Sequence, residues 1–171
     1  MLVVKQHMRT SSLKELSRRL PWWAIFIVGM LWGILADFLI RELFHSDLYS
    51  VGEDKSLFIL IIEALIAAPI IETFLFQFAV IEICHKYLIS KNENRNILIS
   101  IVASAALFSL SHYYSWQYIL WTFIAGIYIA FVYLHFKTIH QSKAWGYWMT
   151  VAFHCTFNSL SLLSDVIERC S

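Results

Sequence analysis

The sequence predicts an all-α protein: a polytopic membrane bundle of about five transmembrane helices plus a short N-terminal amphipathic helix. Of its 171 residues, 59% are hydrophobic, whereas soluble domains contain about 45–50%. The apolar residues come in blocks separated by short charged stretches, and about twenty apolar residues suffice to cross a bilayer. No Gly/Pro/Ser-rich linker divides these blocks. We therefore expect one membrane-embedded domain, residues 21–171, after a basic segment, residues 1–20.

The net charge and the cysteines exclude several other classes of protein. The formal net charge is +1, so the chain has no bulk electrostatic attraction to nucleic acid. The three cysteines, Cys84, Cys155 and Cys170, are widely spaced and form no CxxC pair. This pattern indicates neither a disulfide framework nor a zinc ribbon. We interpret the three cysteines as small apolar residues.

Residues 1–20 form the basic segment, in which Lys and Arg outnumber the single acid Glu15. Residues 11–15 (SSLKE) resemble a helix start with a serine cap, and an apolar stripe of leucines follows them. We expect a short helix lying at the cytoplasmic interface. Pro21 is expected to end it.

The first span is predicted at residues 22–43. It begins with the aromatic pair Trp22 and Trp23, which is typical of a membrane interface. Asp37 lies near the far end of this span, and Arg41 follows one helical turn later. We expect these two side chains to form an ion pair close to the interface.

The second span, predicted at residues 57–83, carries Glu63 and Glu72 within it. Nine residues separate the two acids, which at about 100° per residue puts them on opposite helix faces, so we do not expect a shared site. Pro69 is expected to kink the helix and to leave the carbonyl of Leu65 in need of another partner. A charge at the centre of a membrane helix costs about 2.5 to 3.5 kcal/mol on insertion scales, so Glu72 requires a partner or a function.

Three further spans are predicted, at about residues 96–112, 115–136 and 144–163. Five spans place the basic N-terminal segment and the basic connections at 84–96 and 137–143 on one side of the membrane. The positive-inside rule makes that side cytoplasmic. We therefore expect a multi-pass protein of the plasma membrane with a cytoplasmic N-terminus.

Polar side chains on three of these spans can converge on one pocket. Glu72 lies on the second span, Phe108 and His112 are i and i+4 on the third, and His154 and Asn158 are i and i+4 on the fifth. A carboxylate and a neutral imidazole can together deprotonate a water molecule. A second imidazole and a carboxamide can donate hydrogen bonds to an oxyanion. Together these groups supply what hydrolysis of an amide requires.

Other chemistry at these positions is less well supported. A Gly-x-Ser nucleophile loop of the rhomboid kind, an HExxH zinc motif and paired aspartates are absent from the sequence. A His₂Glu zinc site made of Glu72, His112 and His154 stays open as an alternative. A proton relay through the same residues is a further alternative, although the chain has no internal repeat of the kind from which many transporters are built. We expect no metal and no cofactor.

The three segments resemble the motifs of the CPBP family (CAAX proteases and bacteriocin-processing enzymes, also called Abi proteins), which are intramembrane glutamic endopeptidases. The family motifs are a Glu-Glu-x-x-x-Arg helix often preceded by Ala-Pro, then Phe-x-x-x-His, then His-x-x-x-Asn/Asp. This chain carries similar segments in the same order between about residues 57 and 163. The resemblance implies that Glu72 and His112 activate water, that His154 and Asn158 form the oxyanion site, and that no metal takes part.

The first motif departs from the family pattern at two positions. The second Glu is Thr73 and the Arg is Gln77, so an acid and a base are absent together. We expect Thr73, Phe76, Gln77 and Phe108 to support the site, the Thr–Gln pair by hydrogen bonds around it. The function predicted is cleavage of a peptide or a membrane-anchored protein. The two departures leave open a non-catalytic binding or immunity-type relative.

Overall fold

The computed structural model describes residues 20–44, 56–87 and 92–170, with Leu57 and residues 164–170 described by their backbone alone. Within these ranges the chain is helical and contains no strand. The five helices are α1 (Trp22–Phe44), α2 (residues 57–87), α3 (Glu93–Leu110), α4 (Trp116–His140) and α5 (Lys143–Cys170). The predicted all-α fold with five helices is confirmed. The predicted interfacial helix in residues 1–20 lies outside the described residues.

Side chains that the sequence places at helix starts act as caps. Ser56, Asn92 and Ser115 each accept a hydrogen bond from the backbone N–H three residues later, at the start of α2, α3 and α4. At the other end of α4, Gln141 adopts a left-handed conformation with φ 49° and ψ 35°. This residue lets the chain reverse into α5 within two residues.

The outer surface of the bundle is apolar, as the composition predicts. Leu31, Ile34 and Phe38 on α1 are each more than half exposed, and an apolar surface of this extent requires a membrane or a partner. By length and composition, three helices in the described part of the chain can cross a membrane: Trp22–Phe44, Phe58–Tyr87 and Trp116–His140. The protein is therefore an integral membrane protein.

Helix α4 lies at the centre of the bundle and packs against α1, α3 and α5. Its buried residues Ile129, Val132 and Phe136 belong to one apolar cluster with residues of the neighbouring helices. Because α4 is enclosed by other helices, its position sets the distances between the surrounding ones.

Two glycines allow α1 to approach this core closely. A Cβ atom at Gly29 would lie 2.3 Å from the ring of Tyr128 and 2.5 Å from that of Phe153, and one at Gly33 would lie 2.2 Å from the ring of Phe157. Gly29 and Gly33 are one turn apart, which is the small-residue spacing common at membrane helix interfaces. A larger side chain at either position would push α1 away from α4 and α5.

Helix α2 is continuous but not regular. It consists, in order, of an α-helical start Leu57–Ile62, a π-helical segment Glu63–Ala67, an α-helical turn Ala68–Glu72, a second π-helical segment Thr73–Ala79 and an α-helical end Val80–Tyr87. Segments of π-helix inside α-helices are rare and occur frequently at functional sites.

The first π-helical segment changes which residues share a face of α2. The N–H of Ala68 bonds to the carbonyl of Glu63 five residues earlier, so this turn accommodates one extra residue. From Glu63 to Glu72 the effective separation falls from nine residues to eight, that is, from about 180° of rotation to about 80°. The expectation that these two acids lie on opposite faces is therefore wrong. Both line the same cavity.

A charged cluster joins three helices at one end of the bundle. Glu82 on α2 accepts a hydrogen bond of 2.9 Å from the Tyr133 hydroxyl on α4. The same carboxylate forms ion pairs with Lys137 on α4 and Lys143 at the start of α5. This cluster fixes the end of α2 against the turn between α4 and α5.

Candidate active site

A cavity of about 580 Å³ opens between the helices and reaches the middle of the bundle. Its walls combine apolar side chains of α1 and α4 with polar groups of α2, α3 and α5. The polar side chains predicted to converge, together with the phenylalanine of the second motif, all line it: Glu72, Phe108, His112, His154 and Asn158.

The carboxylate of Glu72 lies between two imidazole rings. Its Oε1 atom is 3.7 Å from Nε2 of His112, and its Oε2 atom is 3.6 Å from Nε2 of His154. These separations are longer than a direct hydrogen bond, and a polar contact of this length is one that a water molecule can bridge. Glu72 thus has two partners at membrane depth, one from α5 and one from the turn after α3.

His112 is oriented by the end of helix α3. Its Nδ1 atom is 2.8 Å from the carbonyl oxygen of Phe108. A carbonyl can only accept a hydrogen bond, so Nδ1 carries the proton in the neutral ring and Nε2 presents a lone pair. That lone pair is on the side of Glu72. The neutral ring is therefore arranged to accept a proton rather than to donate one.

The ring of Phe108 explains the Phe-x-x-x-His spacing. It packs against His112 with ring centroids 4.5 Å apart and against His154 with centroids 5.9 Å apart. Phe76 from α2 packs edge-on against Phe108 at 5.7 Å. The two phenylalanines thus support both imidazoles from the side, without a polar contact to Glu72.

His154 is the most enclosed of the polar groups. It is 3% exposed, and its Nδ1 atom has no hydrogen-bond partner among the described side chains and backbone. Its Nε2 atom is the one near the carboxylate of Glu72. A neutral ring with its proton on Nε2 would direct that N–H toward the cavity.

The backbone of α2 near Pro69 is completed by α5. Because Pro69 has no N–H, the carbonyl of Leu65 lacks its helical donor, and the thiol of Cys155 donates to this carbonyl at 2.9 Å. The carbonyl of Leu65 was expected to need another partner, and Cys155 supplies it. The interpretation of Cys155 as merely a small apolar residue is thereby corrected, since its thiol has a defined polar contact.

Asn158 also donates a hydrogen bond to a backbone carbonyl of α2, that of Ala64, which is one residue before Leu65. The N–H of Ala68 is used by Glu63 in the π-helical turn, which removes the α-helical donor for the carbonyl of Ala64. The side-chain amide of Asn158 donates to that carbonyl at 2.8 Å. One of its two N–H groups is therefore committed to α2, and the other remains for a ligand in the cavity that Asn158 lines.

Thr73 and Gln77 lie apart from the cavity. Both are fully buried, and neither lines the cavity wall. The Oγ1 atom of Thr73 and both amide atoms of Gln77 have no hydrogen-bond partner within the described ranges. The described contacts therefore do not include the hydrogen bonds that were expected between this pair and its surroundings.

The cavity wall also carries charged residues that were not predicted as part of the site. Arg41 donates from Nε to Oδ2 of Asp37 at 3.0 Å, which confirms the expected ion pair, and both residues line the cavity together with Glu63. A spacing of four residues links Gly33, Asp37 and Arg41 on one face of α1. That spacing is a signal from which their shared environment could have been predicted.

The ring of Tyr118 is a further group that was missed. It lies 6.0 Å from that of His112, between centroids. Tyr118 comes from the first turn of α4 and also lines the cavity. Nothing in the local sequence distinguishes it from the other aromatic residues that begin this helix.

The residue types alone did not exclude the alternative of a His₂Glu zinc site. Within the described part of the chain, no group of three or more His, Cys, Asp or Glu side chains has the arrangement needed to hold a metal ion.

Comparison with known proteins agrees with the motifs. The family model described as type II CAAX prenyl endopeptidase Rce1-like matches residues 54–160, which is more than half of the chain and includes all three motif segments. No curated protein and no solved structure matched the chain. The helical membrane bundle, the order of the three motifs and this match lead to one conclusion: the chain belongs to the Rce1-like type II CAAX prenyl endopeptidases of the CPBP family.

Proposed function

We propose that this protein is an intramembrane endopeptidase that hydrolyses a peptide bond with water activated by Glu72 and His112. Membership of the family supports a protease-like role in a membrane. The observation that carries the proposal is the position of the Glu72 carboxylate, within 3.7 Å of two imidazole nitrogens at the inner end of an open cavity.

The first step is activation of a water molecule. Two acceptors, the Glu72 carboxylate and Nε2 of His112, face each other across a gap that one water can bridge. Such a water would donate both of its protons to these acceptors and direct a lone pair at the scissile carbonyl. As the water oxygen bonds to the carbonyl carbon, one proton passes to the Glu72–His112 pair.

The second step is stabilisation of the oxyanion. His154 can donate from Nε2, and Asn158 can donate from the N–H that is not bonded to Ala64. Both groups are fixed before the reaction, His154 by burial and Asn158 by its bond to α2. Donors held in place in this way stabilise a developing negative charge without reorganisation.

The third step is departure of the amine. The proton held by Glu72 and His112 is delivered to the leaving nitrogen as the carbon–nitrogen bond breaks, which yields a carboxylic acid and an amine. No metal or cofactor is required in this scheme. The same pair acts first as base and then as acid.

The cavity has room for a peptide segment. A volume of about 580 Å³ lies within the range of small-molecule and cofactor sites. Its apolar walls include Met30, Ile34, Trp121 and Phe157, which suit apolar side chains next to the scissile bond. We propose that the substrate is a peptide or a membrane-anchored protein of this character.

A second candidate is a binding protein of the same fold that does not cleave. The observation that favours it is that Thr73 and Gln77 occupy the family's Glu and Arg positions and are buried without a described hydrogen-bond partner. In that case the cavity would bind a peptide without cleaving it. Removal of the Glu72 carboxylate would change the binding affinity, and neither the wild type nor the variant would show turnover.

Cleavage of a peptide panel and of membrane-anchored substrates distinguishes the candidates. The purified protein in detergent or in vesicles is compared with Glu72→Gln and with the matched control Glu93→Gln, which changes an acid at the opposite end of the bundle. We expect cleavage by the wild type and by Glu93→Gln, with loss of at least about 10²-fold for Glu72→Gln.

Two controls complete the experiment. Thermal unfolding shows whether Glu72→Gln is folded, and incubation with a strong chelator tests the His₂Glu alternative. Cleavage that persists after chelation excludes a zinc mechanism. Equal cleavage by wild type and Glu72→Gln, or a trapped peptide without cleavage by either, would contradict the endopeptidase proposal.

A further inference from the structure

We propose that a second pocket, between the end of α2 and the start of α5, binds one anionic phospholipid. Its phosphate would lie between Lys86 and Lys143, and its acyl chains would run along α2 and α5. None of the described residues that line this pocket also lines the active-site cavity. The site is therefore independent of the proposed endopeptidase function.

The pocket forms where α2 and α5 separate. It has a volume of about 440 Å³ and is lined by residues from the end of α2 and by Lys143 at the start of α5. Further along, α5 packs closely against the 63–79 part of α2. At Val80–Tyr87, in contrast, the charged side chains of Glu82 and Lys143 bridge the gap between the helices. A gap bridged in this way is accessible to a polar ligand.

Positive charge exceeds negative charge around the pocket. Glu82 is the only acid that lines it among the described residues, and its carboxylate is shared by Lys137 and Lys143. Lys137 is held further by His85, whose Nδ1 atom lies 3.2 Å from the Nζ atom of the lysine. Together with Lys86, three ammonium groups thus surround one carboxylate. An anionic ligand would compensate the excess positive charge.

Lys86 and Lys143 are the two cations that a ligand can reach, since both are exposed and both line the pocket. Lys86 has no carboxylate partner among the described residues, and its Nζ atom lies 5.3 Å from the ring centroid of Tyr87. Lys143 pairs with one oxygen of Glu82 and keeps further donors, because an ammonium group has three. The N-terminus of α5, which begins at Lys143, adds partial positive charge.

The pocket lies at the level of lipid headgroups. The helices Phe58–Tyr87 and Trp116–His140 are long and apolar enough to cross a membrane, and the pocket is located where both of them end. Exposed aromatic residues are typical of a membrane interface, and Tyr87, Trp145 and Trp148 next to the pocket are 66%, 52% and 58% exposed. Basic pockets between membrane helices bind the headgroups of anionic lipids.

An apolar surface continues from the pocket along α2 and α5. Phe78 precedes Glu82 by four residues, and Tyr147 follows Lys143 by four. The rings of Phe78 and Tyr147 pack edge-on with centroids 6.2 Å apart. Phe74 extends this row at 6.5 Å from Tyr147 and is 50% exposed. Acyl chains can use this surface and a free phosphate ion cannot, which favours a phospholipid as the ligand.

Binding of defined lipids to the purified protein tests the site. The protein in detergent micelles is titrated with dioleoyl phosphatidylglycerol or dioleoyl phosphatidylcholine, and bound lipid is counted by native mass spectrometry. We expect the wild type to bind one phosphatidylglycerol molecule more tightly than phosphatidylcholine. Lys86→Gln should weaken this binding by about 5-fold and Lys86→Gln combined with Lys143→Gln by about 25-fold, because each basic residue contributes about 1 kcal/mol to the attraction of an anionic lipid.

Arg95→Gln is the matched control. It removes the same charge from an exposed position at the start of α3 that does not line the pocket, so we expect it to bind phosphatidylglycerol as tightly as the wild type does. Equal binding of the two lipids by the wild type would overturn the proposal, as would equal weakening by Arg95→Gln and Lys86→Gln. Lys86→Gln removes no ion pair among the described residues, so this comparison holds even if Lys143→Gln impairs folding.

Thermal unfolding distinguishes a lipid from a free phosphate ion. Phosphatidylglycerol should raise the unfolding temperature of the wild type and of Arg95→Gln, and should raise that of Lys86→Gln less, because a ligand stabilises the state to which it binds. Inorganic phosphate should have no such effect. Stabilisation by inorganic phosphate without stabilisation by phosphatidylglycerol would contradict a phospholipid site.

Discussion

The side-chain amide of Asn158 donates a hydrogen bond of 2.8 Å to the backbone carbonyl of Ala64, and so joins α5 to the irregular part of α2. One turn of α5 earlier, Cys155 makes the equivalent contact to Leu65. Both carbonyls lack helical donors because of Pro69 and the π-helical turn before it. The irregular turn of α2 that precedes Glu72 is therefore stabilised by the same helix that carries His154.

The contact of Cys155 with Leu65 predicts that substitutions at Cys155 and Pro69 have coupled effects on the free energy of unfolding. Cys155→Val should lower the free energy of unfolding by about 1 kcal/mol, because the carbonyl of Leu65 loses its donor at membrane depth. Cys155→Ser should be nearly neutral. Pro69→Ala restores an N–H for this carbonyl, so the cost of Cys155→Val should be smaller in that background, measured by reversible unfolding in mixed micelles. Equal costs in both backgrounds would mean that the thiol does not serve the carbonyl.

Asn158 should affect stability and turnover separately. Asn158→Leu is similar in size but has no side-chain N–H group, so we expect a loss of about 1 kcal/mol in unfolding free energy and a fall in kcat of at least about 10²-fold. Thr156→Val is the matched control, since Thr156 donates to Ala152 within its own helix. If activity falls no more than in a control variant of equal stability, Asn158 does not act in the oxyanion site.

Gln77 should be replaceable by an apolar residue of similar size. Gln77→Met removes a buried amide that has no described hydrogen-bond partner, so the unfolding free energy should stay constant or rise by about 1 kcal/mol. Because Gln77 does not line the cavity, kcat/KM should change by less than about 2-fold. Loss of activity without loss of stability would show that the amide acts on the site after all.

The same position provides a test against the family pattern. Gln77→Arg alone should destabilise the protein strongly, because it buries a cation without a partner. Adding Thr73→Glu recreates the family's acid–base pair and should recover part of that loss. Comparison of the two single variants with the double variant by thermal unfolding gives the coupling, and additive effects would show that the two side chains do not meet.

The Glu82 cluster should stabilise the end of the bundle where α2 meets the turn between α4 and α5. Glu82→Gln leaves Lys137 and Lys143 without their acid and should lower the unfolding free energy by roughly 2 kcal/mol, between the values of exposed and buried ion pairs. Glu93→Gln, an exposed acid at the start of α3, serves as the control. An unchanged unfolding curve for Glu82→Gln would contradict a structural role of this cluster.

The helices could be predicted because their signals are local. Hydrophobic runs, capping residues such as Ser115 and spacings such as His154 to Asn158 depend only on neighbouring residues. The set of side chains that meets in the cavity could likewise be predicted. A charge such as Glu72 is unfavourable at membrane depth, and few polar groups are available there as its partners.

The rest depends on contacts between distant segments. The π-helical turn that begins at Glu63 depends on the donors that α5 provides for the carbonyls of Ala64 and Leu65. A prediction that assumes a regular rotation of 100° per residue therefore puts Glu63 on the wrong face of α2.

The central claim is that Glu72 and His112 act together on one water molecule. The most direct test is kcat/KM for Glu72→Gln, His112→Gln and the double variant, with unfolding curves as a check on structure. We expect each single change to lower kcat/KM by about 10²- to 10⁴-fold and the double variant to be little worse than either, because groups that act as a unit are not additive. Wild-type activity in Glu72→Gln, or losses that multiply in the double variant, would contradict the account.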